Sequence, residues 1–181
     1  MPPKIANARE TIMNFGREQL LKKGPGFSVA GLMDECGMAT GTFYSYFHSK
    51  DDLLLQLVEE DWNRIVADLD AIMGPALSQR GKAEFIFDRL RIFANTYKFA
   101  QMKMAMRMPL KYYLQHQAKA MKKMTDKIQE ILEDDARAGR VALHVPPDKA
   151  AKMIMAVCLA VGRDPELSFS DLWYFMHVRE Q

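Results

Sequence analysis

Residues 28–53, SVAGLMDECGMATGTFYSYFHSKDDL, decide how this chain is read. Gly37 divides the stretch. Before it, Val29, Leu32, Met33 and Cys36 recur at helical spacing, so one face of a short helix is apolar. After it, Phe43 and Phe47 sit four apart and share an inward face, which leaves Thr40, Thr42, Tyr44 and Ser45 facing elsewhere. A helix–turn–helix needs this arrangement. The first helix and the turn fix the second, and the exposed side chains of the second enter the major groove. Ser28 suits the N-cap of the first helix, and Ser49 to Asp52 has the shape of a capping box opening a long one.

Within that stretch, GMATGTFYSYFHSKDDLL (residues 37–54) resembles the DNA-binding signature of the TetR (tetracycline-repressor-like) transcriptional regulators. In that family a turn glycine and a small apolar residue lead into Ser-Lys-Gly-Thr-Leu-Tyr-x-Tyr-Phe, then x-Ser-Lys and an acidic–apolar run. Gly37, Gly41, Thr42, Tyr44, Tyr46, Phe47, Ser49 and Lys50 match, and Phe43 replaces the usual Leu. Ala39 and Thr40 stand where Ser and Lys are common. Ala30 and Gly31 stand where the preceding helix usually carries polar residues. The resemblance implies an all-α chain of about nine helices: a three-helix DNA-binding head over residues 1–48, then a helical ligand-binding and dimerisation body over 49–181. It implies double-stranded DNA with a palindromic operator as partner. The expected DNA-facing set is Ser28, Thr40, Gly41, Thr42, Tyr44, Ser45, Tyr46, His48 and Lys50, with Lys50 on a phosphate.

Composition suits such a protein. The chain has 181 residues, 49% of them apolar and 27% charged, enough for a core and too apolar for disorder. No run of about 18 uncharged apolar residues spans a membrane. MPPKIANARE has no apolar signal-peptide core, so a cytoplasmic protein is expected. Cys36 and Cys158 sit in apolar helical patterns and read as reduced core residues. The net charge of +2 lies entirely in residues 1–50, which hold six Lys/Arg against four Asp/Glu; the remainder holds 19 of each. That is a modest electrostatic footprint for nucleic acid, doubled in a dimer.

Nearly everything else reads as helix. Ile5, Ala8, Ile12, Phe15 and Gln19/Leu20 trace one face up to Lys23-Gly24-Pro25-Gly26. A connector from about 50 to 73 carries Leu54, Val58, Ile65, Leu69 and Ile72 inward and stops at Gly74-Pro75. Ala83, Ile86, Phe87, Leu90, Phe93, Ala94 and Tyr97 follow the next helix, and Pro109 marks a boundary. Leu110, Leu114, Gln117, Met121, Met124, Ile128 and Ile131 form a stripe ending at Gly139, and two helices over 148–162 and 168–179 finish the chain.

The body is rich in adaptable apolar side chains. There are 14 methionines, with Met102, Met104, Met106 and Met108 alternating ahead of Pro109. Methionine repacks around varied guests, and helical bundles often hold small molecules between helices. For any single residue plain core is the favoured reading. For the cluster, with the resemblance, a ligand cavity is favoured, lined by Trp62, Phe93, Tyr97, Met102, Met106, Tyr113 and His116. Eight Lys/Arg against one acid between Lys98 and Lys127 read first as a solvated face, and second as attraction for an anionic amphiphile. Ile154, Val157, Val161, Leu172, Phe175 and Met176 give the last two helices an apolar surplus. The resemblance implies that they pair with their twins in a homodimer.

No catalytic motif, phosphate loop or His/Cys metal spacing is present, so no enzymatic activity, cofactor or metal is expected. Acid pairs such as Asp134-Asp135 are adjacent on helices and diverge. Two functions compete: a regulator, expected as a repressor released by a small apolar or amphiphilic effector, and a helical carrier or enzyme for apolar molecules with a weakened head. Ala30, Gly31, Ala39 and Thr40 are the support for the second.

Overall fold

Gly37 adopts φ +66°, a left-handed conformation that costs an L side chain about 1–2 kcal/mol. In the computed structural model, which describes residues 7–107 and 109–176, this glycine ends helix α2 (Val29–Glu35). Its N–H donates to the Asp34 carbonyl at 3.1 Å and that of Met38 to the Met33 carbonyl at 3.0 Å, closing two carbonyls that the helix end would otherwise leave open. The chain then enters α3 (Thr40–Tyr44). A Cβ at position 37 meets nothing within 4 Å, so the cost of a side chain there is conformational alone. Gly37→Val is expected to lower stability by about 1–2 kcal/mol in urea denaturation. A change below about 0.5 kcal/mol, typical of an ordinary surface site, would show that the turn needs no glycine.

Eight α-helices and two short 3-10 turns make up the described residues, with no strand among them. Besides α2 and α3 they are α1 (Ala8–Lys23), α4 (Lys50–Asp68), α5 (Gln79–Arg107), α6 (Leu110–Arg137), α7 (Pro147–Gly162) and α8 (Phe169–Met176). The 3-10 turns, Gly24–Gly26 and Leu69–Ile72, follow α1 and α4. Side-chain caps set several starts. Ser28 accepts from Gly31 N–H at 3.0 Å, Ser49 from Asp52 N–H at 3.1 Å, and Ser168 from Asp171 N–H at 3.3 Å.

Two compact units result: Met1–Asp61 with Thr96–Tyr113, and Trp62–Asn95 with Leu114–Gln181. The motif ends at residue 48, but the first unit runs on through Asp61. The reason is the opening of α4: Leu53, Leu54 and Leu57 are fully buried. Gly16 on α1 is the small residue that admits them, for a Cβ there would lie 3.2 Å from the Leu53 side chain. Ile12, Met13, Leu20, Phe27, Leu32, Met33, Phe43 and Phe47 complete this core, while Phe15 and Cys36, expected inside, are only half-buried.

In the second unit Phe87, Leu90, Phe93, Met124, Ile128, Ile131, Ala151, Met155 and Phe169 are buried. Phe87 and Phe169 stack at 5.7 Å, and Gly162 brings α7 within 3.3 Å (from a built Cβ) of the Arg91 backbone. The expected α6 stripe holds only in its later turns. Leu110 and Leu114 are exposed, and the packed face begins with half-buried Gln117 and Met121. The Cys158 thiol is pushed up to about 12 by burial, which keeps it protonated and inert.

Candidate nucleic-acid interface

The short α3 presents its side chains as the pattern of apolar residues dictates. Phe43 and Phe47 are fully buried, with ring centroids 5.3 Å apart, and hold the helix to the core. Thr40, Gly41 and Ser45 are exposed, Tyr44 is 58% exposed, and Thr42 is half-buried. The Tyr44 ring leans edge-on against Phe43 at 5.3 Å, which restricts it without burying its hydroxyl. Tyr46 is 38% exposed just beyond the helix. These groups offer hydroxyls and two aromatic rings to a groove; the hydroxyls can donate to phosphates and can donate to or accept from base edges.

Three members of the expected set also hold local structure. Ser28 is exposed, but its hydroxyl caps α2. His48 is exposed, and its backbone N–H donates to the Asp52 carboxylate at 2.8 Å, which ties the end of the recognition segment to the first turn of α4. Lys50 does not face outward as expected. Its ammonium donates to the carbonyls of Pro25 at 2.9 Å and Phe27 at 2.7 Å and lies 5.1 Å from the Phe27 ring centre. The physical reason is the 3-10 turn after α1, whose carbonyls lie within reach of the α4 start and need donors. Lys50 therefore clamps the loop ahead of α2. Lys50→Ala should weaken DNA binding through this loop and leave the salt slope unchanged. A slope reduced by roughly one would restore the phosphate contact.

The body candidates are divided between the two units. Trp62 and Phe93 belong to the second unit, while Tyr97, Met102, Met106 and Tyr113 belong to the first. Trp62 is buried, packs edge-on to Phe93 at 4.8 Å and donates its ring N–H to the Ala120 carbonyl at 2.8 Å. Tyr97 is buried with its hydroxyl on Asp61. Met102 and Met106 are 52% and 77% exposed, because Tyr97 and Ala100 take the inward positions of that part of α5. The side chains of Tyr113, His116 and Met176, and residue Met108, lie outside what the structure describes.

Residues 12–57 match the family model of bacterial regulatory proteins, tetR family. The match runs from Ile12 in α1 through α2 and α3 to Leu57 in α4, so this part of the chain is similar to that family. Within the match α2 and α3 form the helix–turn–helix, with α3 its second helix. Solved structures carry the likeness along the whole chain at the level of fold. A TetR/AcrR-family regulator from Thermobifida fusca is 20% identical with a TM-score of 0.68, covering 94% of each chain. GusR of Salmonella enterica is 17% identical with a TM-score of 0.71, covering 96% of each. FadR of Bacillus subtilis, solved in complex with stearoyl-CoA, is 15% identical with a TM-score of 0.60, covering 94% of this chain and 90% of that one. No curated protein matches the chain. Among the described residues no helix is long and apolar enough to cross a membrane.

The terminal helices leave apolar surface uncovered. On α7 Met153 is 60% exposed, Val157 is exposed, and Ile154 and Val161 are half-buried. On α8 Phe175 is 77% exposed. Leu172, expected on that face, is instead buried: α8 is amphipathic, and Phe169 and Leu172 take its inner side.

Sequence reasoning missed the polar contacts that hold each unit. Arg17, Asp61 and Tyr97 meet in the first, and Lys82, Asp135 and Arg140 in the second. One signal was available: Asp61 interrupts the apolar row of the connector between Val58 and Ile65.

Proposed function

We propose that the chain acts as a homodimeric repressor on a palindromic operator and is released by a small apolar or amphiphilic effector bound in its helical body. The observation that carries the DNA half is the outward set Thr40, Tyr44 and Ser45 on a helix anchored by two buried phenylalanines. The uncovered face of Met153, Val157 and Phe175 supports a two-fold partner, which a palindrome requires. The family match lies on the DNA-binding motif itself, which favours a regulator over a carrier with a lapsed head.

The effector class rests on chemistry. Met102, Met106 and Leu110 are exposed apolar groups on a stretch that also exposes Lys98 and Lys111, a surface suited to an acyl chain with an anionic end. The stearoyl-CoA bound by B. subtilis FadR makes an acyl thioester the first compound to try. A labelled duplex selected from a random pool should be released as stearoyl-CoA is added. Its affinity should fall about 10- to 100-fold, which is roughly 1.4–2.8 kcal/mol of coupling. Unchanged affinity with acyl thioesters, together with no apolar molecule found by mass spectrometry of the purified protein, contradicts the effector class.

A further inference from the structure

Arg17, on α1, has its guanidinium engaged on every side. Its Nε donates to Asp61 Oδ2 at 3.0 Å, and its Nη2 lies within ion-pair distance of Asp61 Oδ1 at 2.8 Å. Nη2 also donates to Glu60 at 2.6 Å and Nη1 to Asn14 at 2.9 Å. The Tyr97 hydroxyl, from α5, donates to the same Asp61 Oδ2. Asp61 is therefore the one carboxylate that both partners address, and all three residues lie within the first compact unit. From Arg17 the linkage continues along α1: Gln19, two residues on and buried, donates to Glu35 at the end of α2.

We propose that Asp61 joins Arg17 and Tyr97 into a single positioning unit that holds α1 on α4, and through α1 holds the recognition helix in the attitude that binds DNA. None of the three is on the exposed face of α3, so their effect on DNA is indirect. Burial and the bond to Asp61 raise the Tyr97 hydroxyl well above its ordinary 10.0, so it remains a donor at any physiological pH. Burial alone would lower Arg17, but its bonds to Asp61 and Glu60 outweigh that and raise it. Loosening the unit lets α1 and the helix–turn–helix sample more orientations. Affinity then falls without the loss of any phosphate contact.

The proposal rests on the regulator reading, and the test separates the two. Wild type, Tyr97→Phe, Arg17→Gln and the double variant are titrated against a duplex that wild type itself selects from a random pool. Tyr97→Phe keeps the buried ring and removes only the hydroxyl. It should bind about 3- to 10-fold more weakly and Arg17→Gln about 10- to 30-fold, both with the wild-type salt slope. Because both act through Asp61, the double variant should match Arg17→Gln within about twofold. Additive losses overturn the proposal. So does a lowered melting temperature with wild-type affinity, which would make the cluster a packing feature only. If Arg17→Gln fails to fold, wild-type affinity in Tyr97→Phe alone is decisive against it. If wild type selects no duplex at all, the regulator reading fails instead.

Discussion

Replacing Asp135 with alanine should lower stability by about 3–5 kcal/mol, more than any surface change in the chain. Asp135 is fully buried, and the Lys82 ammonium beside it is nearly so, at 2.7 and 2.8 Å from its two oxygens. Gln79 donates to it at 2.9 Å and Arg140 Nε at 2.6 Å. Removing the carboxylate leaves the Lys82 charge buried without it. Removing both charges, as Lys82→Met with Asp135→Leu, should recover most of the loss, since an apolar pair of similar size needs no partner. The same group sets an acid limit. Burial pushes the Asp135 carboxyl up, but hydrogen bonds from Lys82, Gln79 and Arg140 outweigh this and hold it below its ordinary 3.8. A carboxyl lowered in the folded state stabilises fully above the unfolded value, and that contribution is lost as pH falls through the folded one. The urea midpoint of wild type should therefore drop below about pH 4, and that of the Met/Leu double variant should drop less. Equal acid sensitivity in both would assign the effect to other carboxylates.

Phe175→Asp should convert the protein to a monomer and weaken operator binding by at least about 100-fold, the loss that follows when two half-sites are no longer held together. Phe175 is one of the most exposed large apolar side chains, and Met153 and Val157 extend the same uncovered character to α7. A carboxylate placed in such a contact is buried unpaired in the dimer and solvated in the monomer, so the equilibrium shifts to the monomer. Sedimentation at micromolar concentration measures the first effect and duplex titration the second. A dimeric Phe175→Asp protein would move the interface off α8. A monomeric wild type would remove the dimer altogether.

The DNA-binding end was largely legible because its signals are local. Gly37 needs its positive φ, Phe43 and Phe47 share a face by spacing, and Ser28 and Ser49 cap helices within three residues of themselves. What was illegible depends on partners distant in sequence. Lys50 looked like a phosphate ligand because nothing local shows that the carbonyls of Pro25 and Phe27 wait for it. Asp134-Asp135 looked like two diverging surface acids, yet one of them is the buried partner of a lysine 53 positions earlier. Periodicity also overreached in the body. A row of apolar residues says which face is apolar, not whether anything covers it, and Met102, Met106, Leu110 and Leu114 are uncovered. Helix patterns cannot tell a cavity wall from an exposed side chain, so the proposed effector site was the least readable part of the chain.

The outward face of α3 is proposed to read DNA as part of a two-fold protein. Selection of wild-type and Tyr44→Ala proteins on a random duplex pool, followed by footprinting of the enriched sequence, tests it most directly. A palindrome with two protected half-sites is expected for wild type. Affinity for that site should fall by about 1–3 kcal/mol in Tyr44→Ala, with unchanged thermal stability. An enriched site without two-fold symmetry, or a Tyr44→Ala protein that binds the palindrome as wild type does, would contradict it.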